Sequence, residues 1–327
     1  MNNMDLSKIQ RLIGEDFDKV NSLIKRNLES EVEYLNTINS YLFHQKGKQI
    51  RPLLSLVTAK ACGEINDLTI CCAAVSEMVH TATLLHDDVA DNSAVRRGAP
   101  TVHNKFSPAS SILMGDFWLA KALSLLVKQK NTRILDFFTA AVEELTEGEL
   151  FQMQKALKLD TTENDYLSII TRKTSSLFVA TAGSSAYSAG ADEITIEKMS
   201  RYAYNLGIAF QIRDDIFDYT PNYNTGKNTG SDIREKKITL PLIYAFKKAN
   251  HKESDELLKI IKETKMVDDV LANKTIDFVN CNNGTVLAQE TLSKYSQMAI
   301  DSLTGIKESM FKDELVEIAV YVGTRVI

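Results

Sequence analysis

Apolar residues recur at three- and four-residue intervals along almost the whole chain, and no stretch shows the alternation of period two that a half-buried strand requires. The pattern predicts an all-α protein. The first amphipathic segment, Leu6 to Leu28, puts Ile9, Leu12, Ile13, Phe17, Val20, Leu23, Ile24 and Leu28 on one stripe. Pro52 suits the first turn of a helix running through Leu53, Leu54, Leu56, Val57 and Ala61, with Gly63 at its end. Asp67 is the expected cap of a long helix reaching about Asp91. A loop rich in Arg, Gly and Pro follows, Asn92 to Phe106. Helices are then expected over Pro108–Lys128, Thr132–Ala156, Glu163–Ala189 and Ile194–Tyr219. The polar stretch Pro221–Lys237 has the Gly, Asn and Lys content of a mobile lid. Short helices with charged connectors lead to a last apolar helix, Leu315 to Val326.

Two of these apolar helices carry the same acidic pattern. One reads Asp87-Asp88-Val89-Ala90-Asp91 and the other Asp214-Asp215-Ile216-Phe217-Asp218. Carboxylates rarely sit in apolar helices unless they are paired or bind a metal. The first and last Asp of each copy are four residues apart and share a face. Two such faces turned toward each other would cage hard cations, and hard cations of this kind usually hold phosphate. At about 100° per residue, Asp88 is rotated off the Asp87–Asp91 face, so Asp87 and Asp91 are the expected direct ligands. The same reasoning favours Asp214 and Asp218 over Asp215. His80 and Leu84 share the face of Asp87, with His80 about 10 Å away along the axis.

Basic residues surround the acidic ones in sequence. Lys48 and Arg51 open the preceding helix, Arg96 and Arg97 follow the first motif, Lys173 lies mid-helix beside Thr174, and Lys227 and Lys237 sit in and beside the polar loop. Guanidinium forks suit phosphate oxygens. Together with two acidic motifs, they point to two anions, one held through metals and one held directly.

Composition narrows the partners. The chain has 327 residues, 44% hydrophobic and 25% charged, as in an ordinary globular protein, and a net charge of -5 argues against a general nucleic-acid surface. The four cysteines, Cys62, Cys71, Cys72 and Cys281, form no CxxC pair, so reduced thiols in an intracellular protein are expected. No apolar signal core opens the chain, and no stretch reads as a bilayer span. A soluble, cytoplasmic protein of one all-helical domain, residues 1–327, is expected.

The motifs, taken in order, resemble those of the trans-polyprenyl diphosphate synthases, over the stretch from about Gly47 to the C-terminus. LLHDDVADNSAVRRGAPTVH is similar to the family's first aspartate-rich motif with its trailing Arg pair, and FQIRDDIFDY to the second. KGKQIRP resembles GGKRxRP, with Lys46 at the first Gly and Gln49 where Arg is common. GSDIREKKITLP resembles GxDxxxGKxTLP, with Lys236 replacing the Gly before Lys237. The resemblance implies an isoprenoid synthase-type bundle of antiparallel helices around a central cavity, usually a homodimer. It implies that Asp87, Asp88, Asp91, Asp214 and Asp218 hold three Mg2+ ions on an allylic diphosphate. Arg96, Lys173, Thr174, Gln211 and Lys237 would contact that diphosphate, with Lys227 as a lid contact. Lys48, Arg51, His80 and Arg97 would bind isopentenyl diphosphate.

Product length is partly legible. Ala82 and Thr83, one turn before Asp87, would face the growing tail, and small residues there leave the tunnel open. A medium or long product, in the octaprenyl region, is therefore expected. Met114, Trp118, Leu119, Leu123 and Leu126 are candidates for the tunnel floor. Four alternatives remain: a shorter-chain synthase making farnesyl or geranylgeranyl products, a class I terpene cyclase, a non-catalytic subunit of a heteromeric synthase, and a generic metal-binding or scaffold helical protein, which leaves the basic residues unexplained. Cyclases usually replace the second acidic motif with an Asn/Ser/Glu triad, and dead subunits typically lose one motif. Both motifs are intact here. His86, beside Asp87, is expected to be a structural hydrogen-bonding residue on another face.

Overall fold

The computed structural model describes residues 12–45, 47, 49–220 and 229–324. Lys46, Lys48, residues 221–228 of the polar loop with Lys227 among them, and both chain ends lie outside the described residues. The elements are α1 (Gly14–Leu28), α2 (Glu33–His44), α3 (Ile50–Cys62), α4 (Asp67–Ala90), β1 (Val95–Arg96), β2 (Ala99–Pro100), α5 (Val102–Lys105) and α6 (Pro108–Lys128). They continue as α7 (Thr132–Lys158), α8 (Glu163–Ile170), a π-helical turn (Thr171–Ser175), α9 (Ser176–Ser188) and α10 (Glu193–Asp218). The rest are α11 (Ser231–Arg234), α12 (Leu240–Lys248), α13 (His251–Glu263), α14 (Asp269–Cys281), α15 (Gly284–Ser302) and α16 (Met310–Thr324). The fold is all-α, as the periodicity predicts. Two compact units share these helices: one takes the residues up to Val142 with Leu177–Ala203 and Ser302–Ile318, the other Glu143–Ser176, Tyr204–Asp301 and the residues from Ala319.

In the first unit α4 is the core helix, packed along α6 and against α1 and α3. It is buried on every side from Thr69 to Ser76, because small residues there (Ala73, Ala74) let neighbours approach. The buried Asn39 links three elements: its amide donates to Leu28 O at 3.0 Å, and its oxygen accepts from the Trp118 indole at 2.9 Å. Burial raises the thiol pKa of Cys62 to about 12 and that of Cys71 to about 11, which leaves both protonated and unreactive.

The structure corrects the sequence reading in several places. The cap of α4 is Asn66, not Asp67: Asn66 Oδ1 accepts from Thr69 N, and Thr69 Oγ1 accepts from Asn66 N. The expected loop Asn92–Phe106 holds an antiparallel ribbon pairing Val95 with Pro100 and Arg96 with Ala99. Arg97 (φ 54) and Gly98 (φ 77) make its tight turn, the left-handed pair that a two-residue hairpin needs. Strands of two residues are too short to show alternation. In the second unit, the helix expected over Glu163–Ala189 is interrupted by the π-helical turn, whose five residues are all polar and so mark no break in the apolar stripe. α15 is 19 residues long rather than short, and the last helix starts at Met310. By length and composition α4 and α6 would suffice to cross a membrane, contrary to the sequence reading; two-thirds of the apolar window in α4 is buried inside the protein, as in a core helix.

Asn66→Ala removes the capping oxygen and the 2.7 Å bond from Asn66 Nδ2 to Ser188 O. A loss of about 1–2 kcal/mol is expected in urea denaturation, the range for a lost cap. An unchanged midpoint would show that neither bond holds α4 in place.

Candidate active site

The C-terminal turns of α4 carry the first acidic motif. Asp87 and Asp91 are half-buried, and Asp91 N donates to Asp87 O at 2.8 Å. Asp88 faces inward at 4% exposure, where the Arg96 Nε donates to its Oδ1 at 2.6 Å. A carboxylate this buried needs such a partner, because desolvation otherwise costs several kcal/mol. The β-ribbon supplies that partner and also sets the position of Arg97, whose Nη1 donates to Gln45 O at 3.2 Å. A Cβ on Gly47 would lie 2.3 Å from the Arg97 guanidinium carbon, so a larger residue there would push the Arg97 head group out of this seat.

His80, Arg96, Arg97 and Asp88 line one cavity of about 90 Å³ in this unit, with Gly47 and Gln49 in its wall and Trp118 at its apolar side. Burial, and then the charges of Arg51, Arg97 and Arg96, hold the His80 imidazole well below its ordinary pKa. His80 is therefore neutral at physiological pH and retains one N–H to donate. The Arg51 guanidinium stacks over the Phe178 ring at 4.9 Å. The cavity wall itself carries Lys25, Arg96 and Arg97 against Glu77 and Asp88, a balance on the positive side that suits an anion.

Ala82 is buried at 1% exposure, whereas Thr83 is half-buried and donates to His80 O at 2.9 Å. Trp118 of α6 lines the cavity together with Thr81, Leu84 and Leu85 of α4. His86 approaches Ile112 O at 3.3 Å and Asp116 at 3.2 Å over Gly115, a structural contact away from the Asp87 face.

The second acidic motif closes α10 in the other unit. Asp214 is exposed, while Asp215 is buried at 4% and accepts from Tyr166 Oη at 2.6 Å and Gln211 Nε2 at 2.8 Å. Burial, with Asp232 and Asp214 nearby, raises the carboxyl of Asp215 well above its usual range, and burial likewise keeps Tyr166 protonated. Asp218 accepts from Ser231 N and Asp232 N at 2.9 Å each and from Ser231 Oγ at 3.0 Å, fixing the start of α11. Lys237 lies after α11 and pairs with Glu235 at 2.5 Å. Lys236 takes the left-handed φ of 57° that the family glycine at this position would adopt freely.

Lys173 and Thr174 project from the π-helical turn. Lys173 pairs with Glu149, and Thr174 Oγ1 donates to Gln211 Oε1 at 2.7 Å. Glycines on two neighbouring helices make room for the turn: a Cβ at Gly148 would meet Lys173 N at 2.9 Å, and one at Gly207 would meet Ser175 Cα at 2.7 Å. Lys48 and Lys227 lie outside the described residues. Glu149 and Tyr166 were absent from the sequence reading, since a lone Glu or Tyr on an amphipathic helix carries no signal of its contacts. Among the described residues no three Asp, Glu, His or Cys side chains gather as a metal site. The half-buried and exposed donors, Asp87, Asp91 and Asp214, offer only hard oxygens, a set suited to Mg2+ or Ca2+ rather than zinc.

Residues 32–277 match the family model described as polyprenyl synthetase. The octaprenyl diphosphate synthase of Haemophilus influenzae is 34% identical over 97% of this chain and 96% of its own. The all-trans-nonaprenyl-diphosphate synthase (geranyl-diphosphate specific) of Rhodobacter capsulatus is 36% identical over 94% of each. Among solved structures, a polyprenyl synthase from Caulobacter crescentus, complexed with calcium and isoprenyl diphosphate, covers 100% of both chains at a TM-score of 0.93 and 32% identity.

The depressed His80 pKa has a measurable consequence. Below about pH 6.5 the unfolded chain protonates this histidine while the folded protein resists, so stability present at pH 7 is lost as pH falls. Between pH 7 and 5 the melting temperature of the wild type should drop further than that of His80→Gln. Parallel curves would show that His80 titrates alike in both states.

Proposed function

The chain belongs to the polyprenyl synthetase family, and from that membership we propose how its own residues carry the reaction. It is a trans-prenyltransferase that adds isopentenyl diphosphate to an allylic diphosphate and makes a medium- or long-chain all-trans polyprenyl diphosphate. Octaprenyl is the proposed length, in keeping with the small Ala82 and the hydroxyl-bearing Thr83 before Asp87.

The observation that carries the reading is the cavity in which neutral His80, Arg96 and Arg97 converge beside a buried, paired Asp88. Isopentenyl diphosphate binds there through Arg51, His80 and Arg97, with Lys48 completing the set. Lys173, Thr174, Gln211, Lys237 and Arg96 hold the allylic diphosphate, and Lys227 reaches it from the loop. Asp87, Asp91 and Asp214 hold Mg2+, three ions in the closed complex, with Asp88 and Asp218 in support. Bound metal neutralises the charge that gathers on the departing diphosphate.

The side chains do the remaining work. Lys173, Lys237 and Arg96 stabilise the leaving group as the allylic C–O bond breaks. Anchoring by Arg51, His80 and Arg97 places the isopentenyl double bond for attack on the allylic carbon. The new cation then loses a proton to the released pyrophosphate, so no protein nucleophile is required. Apolar walls keep water from trapping the cation. The working form is a homodimer in the cytoplasm, and the exposed Ile112 and Leu113 on α6 offer an apolar surface for pairing.

Asp87→Asn and Asp214→Asn each remove a charge and keep the shape. Turnover with Mg2+ should fall at least about a hundredfold, several kcal/mol of transition-state stabilisation, in a folded protein. Near-normal turnover in both variants would overturn the metal assignment. Arg51→Ala or Arg97→Ala should raise the KM for isopentenyl diphosphate more than that for the primer, and equal effects on both would contradict separate sites.

Thr83→Phe should shorten the main product to farnesyl or geranylgeranyl length while early condensations continue. The partly exposed Thr83 is the cleaner site, because a ring at the buried Ala82 must also overpack the core at about 1–3 kcal/mol. Mass spectrometry of the hydrolysed products reads the outcome, and an unchanged product from an active variant would place the tail elsewhere.

A further inference from the structure

In the second unit a single chain of hydrogen bonds connects α8, α10 and the π-helical turn. Tyr166 Oη donates to Asp215 Oδ2 at 2.6 Å, Gln211 Nε2 donates to Asp215 Oδ1 at 2.8 Å, and Thr174 Oγ1 donates to Gln211 Oε1 at 2.7 Å. Tyr166, Asp215 and Thr174 are buried, so each bond replaces water that is not there to substitute for it.

Tyr166 Oη and Gln211 Nε2 both donate to Asp215, so the Gln211 amide presents its NH2 to Asp215 and its oxygen to the Thr174 hydroxyl. Tyr166 occupies the second oxygen of Asp215 and so limits how its carboxyl can turn. Tyr166 in α8 and Thr174 in the π-helical turn belong to one continuous stretch, and α10 ties the two together through Asp215 and Gln211.

We propose that Tyr166 is a positioning residue of the allylic-diphosphate site: through Asp215 and Gln211 it sets the orientation of Thr174 and of the turn that carries Lys173. The inference rests on the assignment of Gln211 and Thr174 to that site. It concerns orientation, so the effect falls on one substrate and not the other. A ring that merely fills the core would instead lower stability and leave both substrates alike.

The test compares Tyr166→Phe, Gln211→Ala and the double variant, with the KM of farnesyl diphosphate and of isopentenyl diphosphate, turnover and melting temperature measured for each. Tyr166→Phe keeps the ring and removes only the hydroxyl. Its KM for farnesyl diphosphate should rise roughly five- to twentyfold, with that for isopentenyl diphosphate within about twofold. The double variant should be no worse for farnesyl diphosphate than Gln211→Ala alone, since both act through one chain. Equal shifts for both substrates, or a lower melting temperature with both KM values unchanged, would overturn the proposal while a selective effect of Gln211→Ala left the site assignment standing. If Gln211→Ala also left the farnesyl diphosphate KM unchanged, the assignment would fail and the proposal with it. Should Tyr166→Phe not fold, Asp215→Asn, which leaves the ring in place and turns an acceptor into a donor, is read in the same assay against the same outcomes.

Discussion

A carboxylate inside an apolar helix must find a partner, and that requirement divides the labour within each acidic motif. The middle aspartates, Asp88 and Asp215, are each 4% exposed, and each is engaged: Asp88 by the Arg96 guanidinium, Asp215 by Tyr166 and Gln211. The first aspartates, Asp87 and Asp214, are the more exposed ones. The last ones differ. Asp91 ends α4 at its C-cap, whereas Asp218 binds the backbone that opens α11. A buried carboxyl left without its partner costs about 1–3 kcal/mol, and about 3–5 when it is ion-paired as Asp88 is, so the partners are as much a part of each motif as the aspartates.

Arg51 stands on the regular helix α3, but other cationic side chains are placed by unusual backbone. Arg97 sits in a hairpin turn at positive φ and rests on Gly47. Lys173 and Thr174 project from a π-helical turn that neighbouring helices can approach only because Gly148 and Gly207 lack a Cβ. Lys236, ahead of Lys237, takes a left-handed conformation despite its side chain. Strained or irregular backbone gathers where ligands bind, because regular helices cannot turn successive residues to one point. The glycines are therefore determinants of the site even though they touch no substrate.

Much of this was legible in the chain, and what was hidden has a physical reason. The bounds of α6, Pro108–Lys128, match those the apolar period predicts. Both acidic motifs stand out because charge on an apolar helix is rare. The ribbon at Val95–Pro100 escaped because two-residue strands have no period, and the π-helical turn because Thr171–Ser175 holds no apolar residue to mark the shift. Asn66 rather than Asp67 caps α4 because either side chain suits the position, and only geometry selects between them. Tyr166 and Glu149 were invisible because their roles depend on contacts from helices distant in sequence, which no local pattern encodes.

The central claim is that this chain elongates prenyl diphosphates to a long product. The most direct measurement incubates the purified protein with Mg2+, farnesyl diphosphate and labelled isopentenyl diphosphate, hydrolyses the products and sizes them by mass spectrometry. An all-trans alcohol in the octaprenyl region is expected, and no incorporation when metal is chelated. A main product no longer than geranylgeranyl, or incorporation that survives chelation, would contradict it.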